Sequence, residues 1–96
     1  PNNPRYNVWL NEKGYAGDNP WHDYANAAEG EGNALASGWA MRHARKPARV
    51  AEEDSETPYM TRRAMDYMTE AGDRPWCMHL SYIKPHWPYI APSPYN

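Results

Sequence analysis

The stretch SETPYMTRRAMDYMTEAGDRPWCMHLSY, residues 55–82, decides the fold, because a clear helical pattern is followed there by an apolar segment. Ser55 or Thr57 can accept hydrogen bonds from the free backbone N–H groups of a helix start, and Pro58 suits the first turn. Gly72 can adopt the left-handed conformation that ends a helix. Residues at helical spacing form one apolar face: Met60, Ala64, Tyr67, Met68 and Ala71. The pattern predicts an α-helix over residues 58–71.

The segment WCMHLSY, residues 76–82, is short, largely apolar and preceded by Pro75, which predicts a β-strand. Burial-prone side chains fall on both of its faces, with Trp76 on one and Cys77 on the other. A strand that is apolar on both faces belongs inside a parallel sheet covered by helices. The chain offers no convincing partner strand. The sequence therefore predicts an α/β protein in which a helix, a strand and long loops form one piece of a larger fold.

Composition also indicates a piece of a larger protein. The chain has 96 residues, which allow one domain at most, and it contains no Phe and few aliphatic residues. Such poverty is typical of disorder, but five Trp, eight Tyr and five Met are large burial units and the net charge is only -2. We expect part of the apolar surface to be buried against residues outside these 96.

The N-terminal half has weaker signals. PRYNVWLNEKGY, residues 4–15, predicts a short helix that ends at Gly14 and turns Tyr6, Leu10 and either Val8 or Trp9 inward. Residues 16–38 contain Asn-Pro and repeated Gly as turn signals, so we expect mainly loop, with one helical turn around residues 21–28. The chain divides into a loop-rich, partly helical segment, residues 1–49, and a helix-strand-loop segment, residues 50–96.

Several partner classes are disfavoured by the sequence. Cys77 is the only cysteine, so no internal disulfide can form, and a cytoplasmic location is slightly favoured over an oxidising compartment. No apolar run approaches the roughly 20 residues of a membrane span. A basic cluster at residues 42–49 lies beside acidic residues in a chain that is acidic overall. The sequence predicts neither a membrane nor a nucleic-acid partner.

The proline-rich stretch YIKPHWPYIAPSPY, residues 82–95, contains the main candidate for chemistry, His86. Pro85 and Pro88 restrict the backbone on both sides of this imidazole, which can donate a hydrogen bond or a proton to an oxyanion near neutral pH. The loop leaves the carboxyl end of the predicted strand, where α/β proteins bind ligands. Lys84 would share a side with His86 in an extended chain, but not in a polyproline helix. The alternative is a surface strip whose histidine has no function.

The remaining histidines and the cysteine do not predict a metal site. No His-Glu-x-x-His or Cys-x-x-Cys spacing occurs, so we predict no metal bound by this chain alone. Within the predicted strand, His79 is expected to be a buried, hydrogen-bonded imidazole. Cys77 is expected to be a packing residue rather than a nucleophile, because no positioned base or helix N-terminus is visible beside it.

Residues 50–96 resemble the middle of the sulfatase family within the alkaline phosphatase superfamily, especially its phosphonate monoester hydrolase and phosphodiesterase branch. The resemblance is carried by the Ser-Glu-Thr helix start, the helix, the apolar strand, the Pro-His-x-Pro loop and the Ala-Pro-x-Pro-Tyr that follows. Residues 1–49 match more loosely and are expected to be specific to the branch, shaping the entrance of the site or a subunit contact.

The resemblance implies an alkaline-phosphatase-like α/β sandwich with a large mixed sheet, and a hydrolase of sulfate, phosphate or phosphonate esters. It also implies a formylglycine nucleophile and one divalent metal, Ca or Mn. The family histidine of the Pro-His-x-Pro loop contacts the sulfuryl or phosphoryl group or the leaving oxygen, and this position is His86 here. Lys84 is carried over as a second substrate contact. The implied partners are the ester substrate, the rest of the parent polypeptide and a possible second copy in a homo-oligomer.

The departures from the family place the nucleophile and the metal ligands outside these residues. The Cys/Ser-x-Pro-x-Arg motif is absent, since Cys77 is followed by Met-His-Leu-Ser, and the Asp-rich metal ligands are absent as well. We therefore expect the isolated chain to be inactive. The alternative function is a non-catalytic, aromatic-rich module whose Trp and Tyr side chains mediate oligomerisation or carbohydrate stacking.

Overall fold

The computed structural model describes residues 4–96, without the side chains of Pro4 and Asn33, and residues 1–3 of the first predicted segment lie outside it. The regular elements in chain order are helix α1 (Pro4–Lys13), a π-helical turn (Trp21–Ala25), strand β1 (Ala27–Glu29), strand β2 (Leu35–Ser37) and helix α2 (Glu56–Ala71). Three single 3-10 turns lie at Glu31–Asn33, Met41–His43 and Glu52–Asp54. The described chain is a mixed α/β structure with long loops.

Helix α1 confirms the helix predicted at the N-terminus. Tyr6 and Leu10 are fully buried, as predicted, and the helix ends just before Gly14, whose φ of +106° favours glycine. The Tyr6 hydroxyl donates a 2.6 Å hydrogen bond to the backbone oxygen of Asp54. Burial raises the pKa of Tyr6, so the phenol stays protonated as a donor. This bond ties α1 to the turn that precedes α2.

The main core lies where α1, the π-helical turn and the start of α2 meet. Its buried members are Tyr6, Leu10, Trp21, Ala25, Val50 and Tyr59. Aromatic rings supply most of its volume: the Tyr6 and Tyr59 ring centroids are 5.0 Å apart, and Trp9 stacks beside Tyr6. The core joins residues from both sequence segments, and aromatic side chains take the place of the missing aliphatic ones.

Strands β1 and β2 form a short antiparallel hairpin that the sequence did not indicate. Ala28 pairs with Ala36 at its centre, and both pack against Ile90 from the proline-rich loop. Outside these strands and the 3-10 turn at Glu31–Asn33, residues 16–38 are loop with one helical turn at Trp21–Ala25, as predicted. Alanine-rich strands of three residues lack the alternation and the β-branched residues that identify a strand in sequence.

Helix α2 confirms the predicted helix and begins two residues earlier, at Glu56. Ser55 occupies the N-cap position, but its hydroxyl donates to the backbone oxygen of Glu52 (2.6 Å) instead of accepting a capping bond. Gly72 follows the helix with a positive φ of +55°, as expected. Neither helix in residues 4–96 is long and apolar enough to cross a membrane.

The predicted apolar face of α2 is only partly buried. Ala64 and Ala71 are buried, whereas Tyr67 and Met68 are 45% and 40% exposed. Tyr67 makes an edge-to-face contact with the ring of Trp76. Among the described residues, the two largest side chains in the C-terminal half of this face, Tyr67 and Met68, are therefore not covered by a core.

The strand predicted over residues 76–82 does not form, which corrects the sequence interpretation. Residues 75–83 have no regular secondary structure, and Trp76 and Tyr82 are 45% and 41% exposed. His79 and Cys77, expected to be buried, are exposed as well. A strand requires a neighbouring backbone for its hydrogen bonds, and residues 4–96 present none to this segment.

Candidate functional site

The loop that follows this segment turns sharply around His86. The backbone N–H of His86 donates to the Ile83 oxygen (2.9 Å), and the Lys84–Pro85 and Trp87–Pro88 peptide bonds are both cis. The hydrogen bond from His86 to Ile83 makes this segment a turn, neither extended nor a polyproline helix.

Beyond the turn, the chain docks on the hairpin. Ile90 is buried against it, and the backbone oxygen of Ala91 accepts a 2.9 Å hydrogen bond from the Ala48 N–H. The proline-rich loop thus rests on a folded support.

A cavity of about 460 Å³ lies between this loop, the first turn of α2 and the end of the π-helical turn. Lys84 and His86 both line it, so the turn brings the two predicted site residues to one cavity. Polar groups come also from Asn26 and Glu56. The apolar part of the wall consists mainly of Pro58, Pro85, Pro88, Tyr89, Ile90, Pro92 and Tyr95. The volume suits a small organic molecule.

The Lys84 ammonium group is bound inside the protein. It donates hydrogen bonds to the backbone oxygen of Pro88 (2.7 Å) and to the Asn26 Oδ1 (3.2 Å). Burial lowers the pKa of Lys84, and the negative charge of Glu56 opposes this shift. Lys84 therefore links the two ends of the turn that contains His86.

Glu56 is the acidic partner of this group. Burial raises the pKa of its carboxyl, while a hydrogen bond from the Trp21 side chain and the positive charge of Lys84 both act in the opposite direction. Trp21 belongs to the main core and is buried. The first turn of α2 thus places a half-buried carboxylate near the Lys84 ammonium and the core residue Trp21.

His86 is more exposed than Lys84 and lies between two cavities. It lines the first cavity and also a second one of about 320 Å³, whose wall includes Trp21, Trp39, Tyr82 and Trp87. Its Nδ1 lies 2.6 Å from the Trp87 backbone oxygen. Because a carbonyl can only accept, Nδ1 carries the proton of this bond and Nε2 is left for a ligand.

Three site residues were missed by sequence reasoning: Asn26, Glu56 and Trp21. Glu56 was noted only within a helix start, and Asn26 only within a loop. Lys84, which contacts Asn26 and interacts with Glu56, is 58 and 28 residues away from them in sequence. No local pattern in the sequence signals such contacts.

The other histidines take no part in this cavity. The His22 Nδ1 lies 2.9 Å from the Asp23 carboxylate on a partly exposed surface, and the His43 Nδ1 lies 2.8 Å from the Ser37 backbone oxygen. Among residues 4–96, no three His, Cys, Asp or Glu side chains are grouped so that they could hold a metal ion.

Replacement of Glu56 by Gln should change how stability depends on pH. The raised pKa means that the folded state holds the proton more tightly than the unfolded state, whose ordinary value is 4.5. Stability contributed by this group is therefore full below that value and is lost as pH rises through the folded pKa. Gln cannot ionise and keeps an oxygen for Trp21. We expect E56Q to gain stability relative to wild type as pH rises from about 4 to about 7.

The measurement is the unfolding free energy of the full-length protein against pH for both forms. Glu70→Gln, on the exposed side of α2, is the matched control and should show no such trend. Lys84, His86 and Glu52 also line the cavity, and both proteins contain them. A difference between E56Q and wild type that stays constant with pH would contradict the raised pKa.

Comparison with known proteins gives a partial match. Over 51 residues, which are 53% of this chain, the sequence is 37% identical to a protein of Trinickia caryophylli described as the multifunctional alkaline phosphatase superfamily protein PehA. The chain spans 10% of the length of that relative. No protein-family model matches the chain.

This similarity supports a relationship to the alkaline phosphatase superfamily. The mixed α/β architecture, with two helices, a short two-stranded hairpin and long loops, is consistent with a piece of an alkaline-phosphatase-like fold.

Proposed function

We propose that this chain is part of a hydrolase of sulfate, phosphate or phosphonate esters, in the sulfatase and phosphonate monoester hydrolase branch, and that it contributes one active-site loop. The observation that carries the proposal is the position of His86 in the wall of a 460 Å³ cavity, on the Pro-His-x-Pro loop. The similarity to a superfamily protein described as multifunctional supports a hydrolase.

In this proposal His86 acts on the substrate through Nε2. Its Nδ1–H is held by the Trp87 oxygen, which fixes the tautomer and the ring. The protonated ring can donate from Nε2 to an oxygen of the sulfuryl or phosphoryl group, or give its proton to the leaving oxygen. The docked loop limits the motion of the ring, so little freedom is lost on binding.

The nucleophile and the metal belong to the rest of the longer protein in this proposal. Residues 4–96 contain no group suited to a metal ion, and Cys77 lacks the sequence of a formylglycine precursor. The divalent metal, Ca or Mn, and the formylglycine would supply the attacking oxygen and charge stabilisation. The described residues do not fit either group, so the role of His86 is derived without them.

Residues 1–49 take part in shaping the site in this proposal. Asn26 and Ala25 line the cavity from this segment, and the Trp21 side chain helps to lower the pKa of Glu56 against the effect of burial. We propose that the branch-specific segment forms the inner wall of the entrance. The prediction that Lys84 contacts the substrate stays a prediction.

The proposed function is tested with the full-length protein and three 4-nitrophenyl esters: a sulfate, a phosphate and a phosphonate. We expect hydrolysis of at least one, lost with a chelator and restored by Ca²⁺ or Mn²⁺. Mass spectrometry should check that the nucleophile carries its aldehyde. A correctly modified, metal-loaded protein that hydrolyses none of the three esters would contradict the proposal.

A second candidate function is a non-catalytic module for oligomerisation or carbohydrate stacking. One observation favours it, namely the exposure of several aromatic side chains, including Trp39, Trp76, Tyr82, Tyr89 and Tyr95. A full-length protein without esterase activity that retains oligosaccharide binding or self-association through these side chains would support this function instead.

A further inference from the structure

The turn around His86 is closed by a single side chain. Lys84 begins the turn and its ammonium reaches the Pro88 oxygen at the other end, 2.7 Å away. His86 lies midway between them. The backbone of the turn adds the His86 N–H bond to Ile83, and the His86 ring adds the bond to Trp87. The position of the imidazole therefore depends on a ring of contacts that Lys84 completes.

The second acceptor of Lys84 is held firmly in place. Asn26 is 4% exposed, and its side-chain amide donates to the Trp21 oxygen (3.0 Å). Because an ammonium can only donate, the Asn26 Oδ1 must face Lys84, and the bond to Trp21 fixes the amide in that orientation. The Asn26 backbone oxygen also accepts from the Gly38 N–H (2.9 Å). Lys84 is thus tied to the hairpin region.

The charge of Lys84 is balanced inside the protein as well. Glu56 lies close enough to interact with it electrostatically, and this charge opposes the lowering of the Lys84 pKa by burial. Two of the three ammonium donors are engaged by Pro88 and Asn26. An anionic substrate would compete with these three internal partners for Lys84.

We propose that Lys84 is a positioning residue, which fixes His86 by clamping residues 84–88 onto Asn26, and that it does not bind the substrate anion. This assignment rests on the proposed function for its kinetic consequences, but the clamp itself can be measured without activity. The positive charge serves the fold of the loop, and recognition of the sulfuryl or phosphoryl group falls to other residues.

The test uses Lys84→Met in the full-length protein, with Lys46→Met, at an exposed lysine, as the matched control. Hydrogen exchange of peptides covering residues 83–91 should become faster in K84M and stay unchanged in K46M. Turnover should fall roughly 10- to 100-fold, while KM and the inhibition constant of inorganic phosphate change by less than about threefold. Lys84→Arg should recover much of the exchange protection, since a guanidinium can donate to the same two oxygens.

A double-mutant cycle with His86→Ala separates the two roles. If Lys84 acts through His86, then K84M should reduce kcat by less than about threefold in the H86A background. If Lys84 bound the anion, the reductions in kcat from K84M and H86A should multiply in the double mutant. Loop exchange should then be unchanged, and the inhibition constant for phosphate should rise strongly. That combination would overturn the proposal. If H86A itself leaves turnover unchanged, the proposed function fails, while the exchange result still decides the clamp.

Asn26→Ala removes the acceptor of the Lys84 hydrogen bond instead of its donor, so the proposal can still be tested if K84M does not fold. Removal of the Oδ1 acceptor should speed exchange of residues 83–91 and lower kcat without strengthening phosphate inhibition. If Lys84 bound the anion, release of its ammonium from Asn26 should instead strengthen phosphate inhibition and leave the exchange of the loop unchanged. That outcome would overturn the proposal.

Discussion

Replacement of His86 by Ala in the full-length protein is expected to lower kcat by roughly 10²- to 10⁴-fold, the loss that accompanies removal of a general acid. The imidazole is exposed, lines the cavity and makes one side-chain hydrogen bond, to the Trp87 oxygen. Its removal therefore leaves the core intact, and we expect little change in the thermal midpoint. The measurement is steady-state kinetics on the best of the three esters.

The choice of leaving group shows which oxygen His86 serves. If the imidazolium protonates the leaving oxygen, the loss in kcat should be larger for an ester of a poor leaving group than for the 4-nitrophenyl ester, which needs little protonation. If His86 instead stabilises an oxygen of the sulfuryl or phosphoryl group, the loss should be nearly the same for both esters.

His22→Ala is the matched control for His86. His22 is also a partly exposed histidine with one side-chain partner, Asp23, and it lines neither of the two cavities. Its replacement should leave kcat within about threefold of wild type. If the kcat of H86A also stayed within about threefold of wild type, His86 would have no catalytic role.

Parts of this fold could be predicted because their signals are local. The helix α2 combines a proline in its first turn, residues at helical spacing and a terminal glycine, and these features depend only on near neighbours. The same holds for α1, where Tyr6 and Leu10 lie one turn apart. Both helices are present, and the differences at their ends amount to two residues or fewer.

Whether residues 76–82 form a strand could not be predicted from their own sequence, because a strand forms only when a second segment supplies its backbone hydrogen bonds. Its apolar residues predict a buried environment, but they cannot supply the partner backbone. Among residues 4–96 the segment remains unpaired, with Trp76 and Tyr82 exposed. Burial of this segment against elements of a longer chain is what its composition still indicates.

In the site, too, local features could be predicted from the sequence and long-range contacts could not. Restraint of His86 by two prolines could be recognised from six residues of sequence, but the contacts of Lys84 could not. They depend on Asn26 and Glu56, which the fold brings from separate segments. The sequence allows an extended chain or a polyproline helix at residues 84–86, and the observed turn is neither. It still places both side chains at one cavity.

Replacement of Gly38 by Ala is expected to be among the most destabilising single changes in the chain, because a Cβ atom at this position would collide with the backbone oxygen of Asn26. The same Cβ would lie 2.6 Å from the Cγ1 of Ile90, which is itself buried. The Gly38 N–H also donates to that Asn26 oxygen (2.9 Å), so the backbone cannot move away without losing the bond. We expect a loss of about 3 kcal/mol in unfolding free energy.

The collision also has a consequence for the site, because both obstructing residues support it. Asn26 holds the Lys84 ammonium, and Ile90 anchors the proline-rich loop on the hairpin. We therefore expect faster hydrogen exchange of residues 83–91 in G38A, in addition to the loss of stability measured by denaturant unfolding of the full-length protein.

Gly32→Ala is the control for the loss of a glycine in the same hairpin. A Cβ at Gly32 meets nothing within 4 Å, and its φ of +62° costs an L-residue only about 1 kcal/mol. G32A should therefore be mildly destabilised and keep the loop protected. Equal stability of G38A and G32A would show that the residue after β2 is not packed against Asn26 and Ile90. The packing that holds Asn26 beside Lys84 would then be absent, which would contradict the Lys84 clamp.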